Sequence, residues 1–466
     1  MEEFENDIIF RLPSELSSAI LTGWVYLNEL VNLDTAHCNR TKRNVLLESV
    51  FDSSQFVLLK MPGNEIMGDF IRWVQLRSVR ISALVVTKDV DMTICEAYLR
   101  KHGQSIKNIQ LDNMDSLEVG SSAATCLIAL YCRNVTTLAC NKCLISDSIV
   151  DVLFYCSALK QLYLQGCEEF WSSNLHMENL EGLRYSHLRT ISLQCIDSTW
   201  LTEVVLMLNC ANSLVRLSLR CDKHSIIHRL QQQLAHCPSL RALGLARSRV
   251  LSDSFLTALI AQCPHLYHLD LTACMDLTDV SGLAVARSLT QLRTFNMSFC
   301  TFSDAVLQEL SFLRSDTLQG IYLMSCSNIT GSGVNRMLQS CPALRTVGFG
   351  GCDLYSPQLD AALLSHATTV LLEEATLEDE ILDRLIEHGT HLQHLRLSFE
   401  EGYEQFDFAR CTAQAMPRLR TLVALNPWEG SNHESASLDN LREQHPELCI
   451  SHDAWELQYD VLDVPV

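Results

Sequence analysis

The stretch Leu266-Tyr267-His268-Leu269-Asp270-Leu271-Thr272-Ala273-Cys274 recurs 26 residues later as Leu292-Arg293-Thr294-Phe295-Asn296-Met297-Ser298-Phe299-Cys300. The same step leads to Leu318-Gln319-Gly320-Ile321-Tyr322-Leu323-Met324-Ser325-Cys326 and to Leu344-Arg345-Thr346-Val347-Gly348-Phe349-Gly350-Gly351-Cys352. Read backwards, the spacing of apolar, two others, apolar, one other, apolar also starts at Leu240, Leu214 and Leu188. Neither chance nor composition holds one phase over that many starts. A fixed period in the twenties marks an array whose units each supply one strand and one helix.

The segments between these strands carry helix signals. Ser252-Asp253, Thr278-Asp279, Ser303-Asp304 and Ser146-Asp147 each offer a hydroxyl for the free N–H groups of a first turn, and an acid for the positive helix end. Leu256, Leu259, Ile260 and Cys263 then recur at helical spacing. Cys-Pro at 237–238, 263–264 and 341–342 ends the helix and returns the chain to a strand. Cysteines also recur three residues after a strand's last apolar position, at Cys143, Cys167, Cys274, Cys300, Cys326 and Cys352. Others stand three residues before a strand, at Cys132, Cys156, Cys237, Cys263 and Cys341. In both places a thiol is expected to act as a small buried hydrophobe filling a corner of the coil.

Looser copies flank the regular block. Upstream, strands are expected at Ile81/Leu84/Val86, Ile106/Ile109/Leu111, Val135/Leu138/Cys140 and Leu159/Leu162/Leu164, with an earlier one at Phe56/Leu59/Met61. Downstream they are expected at Ala367/Val370/Leu372, Leu392/Leu395/Leu397 and Leu419/Leu422/Ala424, with a short last one at Leu448-Cys449-Ile450. The cysteine positions and Cys-Pro boundaries resemble the cysteine-containing subclass of leucine-rich repeats. The resemblance implies an α/β fold: a right-handed leucine-rich-repeat solenoid, a horseshoe with a parallel sheet on its concave side and helices on its convex side. About 14 strands at ~4.8 Å spacing run to on the order of 65 Å. The expected organisation is a helical module over 1–50, repeats over 51–426 and a C-terminal cap and tail over 427–466.

Composition agrees. Of 466 residues, 47% are hydrophobic and 19% charged, as in a folded protein. A net charge of −20 argues against a mainly electrostatic binder of nucleic acid or acidic membrane. The acidic start Met-Glu-Glu-Phe-Glu-Asn-Asp lacks the regions of a secretion signal, and no long uninterrupted apolar run suggests a membrane span. Twenty cysteines without such a signal are expected as reduced thiols, in the cytoplasm or nucleus.

Residues 8–47 read differently. Leu12-Pro13-Ser14-Glu15-Leu16 opens a helix, with Leu16, Ile20 and Leu21 on one face and Trp24 beyond. Leu27, Leu30, Val31 and Leu33 follow, and the segment closes on Cys38-Asn39-Arg40. This pattern resembles an F-box, a three-helix module that docks on the Skp adaptor of cullin-based ubiquitin ligases. It departs from that family in having Arg40-Thr41-Lys42-Arg43 where a basic residue is usually followed by tryptophan. The resemblance implies that Leu12, Pro13, Leu16, Ile20, Leu21, Leu30, Leu33 and Cys38 dock the adaptor. The alternative is a plain helical cap over the first coil.

No phosphate-cradling G-x-x-x-x-G-K loop and no G-x-S-x-G nucleophile elbow occurs, and no cofactor is expected. Cys140-x-x-Cys143 falls on inward repeat positions, and His268 with Asp270 gives too few ligands for zinc. The expectation is a binding protein. Alternation along each strand places Arg216, Arg220, Arg247, His268, Asp270, Asn296, Phe299, Tyr322 and Met324 on the concave face or its rim, as the target-binding surface. The arginines among them suit an acidic or phosphorylated target. Two insertions carry aromatic residues, Glu168-Glu169-Phe170-Trp171 and the run from Glu400 to Phe408 with Tyr403 and Phe406, and insertions in arrays often map to the binding face.

Overall fold

The structure, a computed structural model, describes residues 55–56, 71–72, 74–76, 80–88, 90–114, 120–146, 148–169, 187–194, 213–219, 230–232, 234, 237–248, 250–352, 359–375, 380–399, 416–425, 441 and 449–451. The expected N-terminal module, its boundary at 50, the boundary at 426 and the insertion aromatics lie outside these residues. The chain divides into two compact units, Met1–Leu219 and Arg220–Val466.

In the first unit, β3 (Ala83–Thr87), β4 (Asn108–Asp112), β5 (Thr137–Asn141), β7 (Gln161–Gln165), β9 (Thr190–Gln194) and β10 (Arg216–Leu219) pair in parallel, in that order. Two short pairs accompany them, β1 (Gln55–Phe56) with β2 (Arg80–Ile81) and β6 (Leu144–Ile145) with β8 (Glu168–Glu169). The second unit stacks β11 (Ala242–Gly244), β12 (His268–Asp270), β13 (Thr294–Asn296), β14 (Gly320–Tyr322), β15 (Thr346–Phe349), β16 (Thr369–Ala375), β17 (His394–Phe399), β18 (Thr421–Leu425) and β19 (Cys449–Ser451), again all parallel. The described elements form the expected α/β leucine-rich-repeat solenoid, with strands at the expected leucine starts and helices between them.

Register makes each coil a copy of the last. Leu243, Leu269, Phe295, Ile321 and Val347 stand opposite one another on successive strands, and all are buried. Helices Asp253–Gln262, Asp279–Ser288, Asp304–Leu313 and Gly331–Ser340 add inward residues such as Leu256, Val285, Leu307 and Val334. Each such side chain contributes about 1.5–3 kcal/mol on leaving water. A coil alone cannot enclose them, so stability comes from stacking. Where the repeat from Leu344 to Ala367 falls short of the 26-residue period, a 3-10 helix at Ala361–His366 stands near the end of the coil.

Two local devices join neighbouring coils. Six of the strands leave through a left-handed non-glycine residue: Asn113, Lys142, Arg247, Ala273, Phe299 and Ser325 have φ between 49 and 59°. Side chains rarely adopt that region, so the geometry is held by what the turn bonds to. The turn N–H points forward, from Ala273 to the Ser298 carbonyl at 2.8 Å and from Phe299 to that of Met324 at 2.7 Å. After Lys142, Ala273, Phe299 and Ser325 the next residue is the corner thiol, and it points back. Cys274, Cys300 and Cys326 donate to the carbonyls of Leu245, Leu271 and Met297, each at 3.1 Å. Cys274, Cys300 and Cys326 are therefore the buried hydrophobes expected at the corners and also donate a weak hydrogen bond, while Cys352 is half-buried.

Candidate interaction surface

Alternation along the strands leaves the residues on either side of each apolar strand centre on the sheet face away from the apolar row. In the second unit those after the centre align as Gly244, Asp270, Asn296, Tyr322, Gly348, Leu371 and Arg396. The residues before the strand core align likewise as Ala242, His268, Thr294, Gly320 and Thr346. Both rows belong to one continuous ladder.

The sequence-derived target residues divide three ways. Arg247 and Phe299 are exposed at left-handed turns, Phe299 at 41%, and Met324, whose carbonyl accepts from the Phe299 N–H, is half-buried. Asp270 and Asn296 are drawn into their own turns. The Asp270 Oδ1 accepts from the Thr272 N–H at 2.9 Å and hydroxyl at 2.6 Å, and the Asn296 Oδ1 accepts from the Ser298 N–H at 3.1 Å. They are turn-forming residues before they are contact residues. His268 and Tyr322, expected as solvated contacts, are buried at 8% and 4% exposure, which corrects that reading. The Tyr322 ring lies over Gly348, where an added Cβ would stand 2.9 Å from its Cδ1 and 3.0 Å from the Met324 Sδ. The row holds large side chains because glycine stands next to them. Arg216 opens β10 in the first unit, half-buried; Arg220 and the eight adaptor-docking residues lie outside the described residues.

Burial sets the electrostatics. It pushes the Asp270 carboxyl above the usual carboxylate range, against the Thr272 hydrogen bonds. It raises the Tyr322 phenol too, and the charge of Asp270 adds to that. Burial also raises the Cys274 thiol to about 12 and Cys263 and Cys341 to about 11, which leaves them protonated and unreactive. Cys140 and Cys143 are likewise buried, and the Cys143 thiol donates to Leu111 O at 3.3 Å. Among the described residues no cluster of three or more metal-type ligands occurs, and no helix is long and apolar enough to cross a membrane.

One row escaped the sequence reading. The residue just before each strand is Arg241, Tyr267, Arg293, Gln319 and Arg345 on successive coils of the second unit, joined N–H to carbonyl at 2.7–2.9 Å. Its signal was available: the second letter of the repeat is arginine in the copies starting at Leu240, Leu292 and Leu344.

No family model matches the chain. It is 30% identical over 132 residues to the antagonist of mitotic exit network protein 1 of Eremothecium gossypii, covering 28% of this chain and 33% of that protein. It is 22% identical over 192 residues to the F-box/LRR-repeat protein 17 of Arabidopsis thaliana, covering 41% of this chain and 31% of that protein. The chain thus spans about a third of the length of the curated relatives it matches. Among solved structures, the crystal structure of the yeast Rad7 and Elc1 complex aligns with 93% of this chain and 99% of that one, at 15% identity and a TM-score of 0.48. The repeat assignment rests on this chain's own strand register.

Proposed function

We propose that this chain is a non-catalytic target receptor of a Skp–cullin–F-box ubiquitin ligase, holding a target protein on its repeats while other subunits transfer ubiquitin. One observation carries the reading: in the sequence, the F-box-like run from Leu12 to Arg40 precedes the leucine-rich coils, whose strands pair in parallel within each unit. The Arabidopsis relative bears both features in its name. The proposed setting is the cytoplasm or nucleus.

Co-purification with a Skp adaptor tests it. The full chain should retain the adaptor, and Leu16→Asp with Ile20→Asp should lose it while thermal unfolding of the repeats stays unchanged. A full chain that never retains the adaptor removes the ligase reading. What then stands is a leucine-rich-repeat interaction scaffold with a helical cap.

A further inference from the structure

The row preceding the strands of the second unit has chemistry that neither sheet face shows. Arg293 and Arg345 are exposed and Arg241 half-buried, on alternate coils of one hydrogen-bonded ladder. Two coils at ~4.8 Å each set neighbouring guanidiniums' backbone positions about 10 Å apart. Arg241 and Arg345 are fixed in the same way. The Nη1 of Arg241 donates to the carbonyls of Pro238 and Leu240, both at 3.0 Å, and the Nη1 of Arg345 to those of Pro342 and Leu344, at 2.8 and 2.9 Å. That leaves the Nη2 and Nε edge of each, the fork that grips a carboxylate. Arg293 instead lies 5.7 Å from the centroid of the Tyr267 ring. Among the described residues none of the three forms an ion pair; Asp316, in the intervening coil, forms none either. In a chain of net charge −20, a row with arginine at three of its five positions, none of them ion-paired among the described residues, is a local reversal of sign.

We propose that this edge of the second unit docks an extended acidic polypeptide segment with a carboxylate at every third residue. Polyproline-II chains advance about 3.1 Å per residue with three residues per turn, so every third side chain shares a face at ~9.3 Å spacing. That repeat matches two coils. Each carboxylate meets one arginine, while Tyr267 and Gln319 offer a ring and an amide to the intervening residues. The inference goes beyond the ligase reading and does not rest on it, since no residue before 47 takes part.

The test uses the full chain and a fluorescent peptide of Glu-Pro-Pro repeats, followed by anisotropy. Saturable binding that weakens as salt is raised is expected. An isomer with the same residues but contiguous glutamates should bind about tenfold less tightly, because only one guanidinium then finds a partner. R293E should lose binding, R293K should keep it, and a peptide with lysine for its central glutamate should restore it to R293E. Arg293 is exposed and its one described contact is an aromatic ring, so the fold is expected to survive; R293Q gives the same readout without charge reversal should R293E unfold. Absence of saturable binding, equal affinity for the contiguous isomer, or indifference to both R293E and R293Q would overturn the proposal. So would tighter binding of a single-stranded oligonucleotide of equal charge.

Discussion

The Asp304 carboxylate caps a helix to which it does not belong. It sits in the first turn of Asp304–Leu313, yet its oxygens accept from the N–H and the hydroxyl of Thr330, at 2.9 and 2.6 Å, at the head of Gly331–Ser340. Asp279 does the same for Ser303, at 2.8 and 2.5 Å, and Asp253 for Thr278, at 2.9 and 2.6 Å, and for the Ser281 hydroxyl. Each helix start is thereby tied to the next. Burial raises the Asp253 carboxyl, but the Ser281 and Thr278 bonds outweigh it and hold it below the usual range.

Asp304→Ala should cost about 1–2 kcal/mol, since Thr330 makes no side-chain cap of its own and its N–H loses its partner. Asp304→Asn, which keeps one acceptor, should cost roughly half that. Urea unfolding of the three proteins measures both. Equal stability of Asp304→Ala and the parent would show that the inter-helix bond adds nothing.

Gly333→Ala should destabilise, although alanine ordinarily favours a helix interior by ~1 kcal/mol over glycine. A Cβ there would stand 2.1 Å from the Asp304 Oδ1, so the carboxylate must leave Thr330. In the Asp304→Ala background the same change should become neutral or favourable. A thermal-melt double-mutant cycle reads that reversal.

The corner thiol tolerates serine better than a branched aliphatic. Ser248 already fills the corner position one coil before Cys274 and is fully buried. Cys300→Ser, still able to donate to the Leu271 carbonyl, should cost under about 1 kcal/mol; Cys300→Val, with added bulk and no donor, about 2 kcal/mol or more. Among the described cysteines, the buried thiols should resist a disulfide reagent, while Cys126, exposed on the helix Gly120–Tyr131, should react first.

Asp270→Asn should leave the turn intact, because Asn296 makes the equivalent bond to Ser298 one coil on. The folded Asp270 carboxyl lies above its ordinary value of 3.8, so the folded state holds the proton more tightly than the unfolded chain. Its contribution is complete below 3.8 and is lost as pH rises through the raised folded value. The variant should therefore melt at the same or a higher temperature at neutral pH, with a flatter acid-side profile. A lower melting temperature there would mean that the ionised carboxylate is paired.

The strand positions could be read from the leucines alone, because a coil that must bury the same face at each turn repeats its apolar letters in step. Depth on the opposite face could not. Alternation tells which side His268 and Tyr322 take, but their burial depends on neighbours a full coil away, such as Gly348. The acids after Ser252, Thr278 and Ser303 looked like local dipole partners; their bonds to the next helix span 24 to 28 positions of chain, which no local capping pattern encodes. Attention to the strand's outward letters also passed over the arginines one residue earlier.

Every surface described here depends on coil-to-coil register, and amide hydrogen exchange at Phe299 tests that register most directly. Its side chain is 41% exposed and its backbone left-handed, features of an open loop, yet its N–H donates to the Met324 carbonyl of the next coil at 2.7 Å. Exchange as slow as that of the buried strand amides of Phe295 and Ile321 is expected. Exchange of Phe299 at the rate of an unstructured chain, with those strand amides still protected, would contradict it.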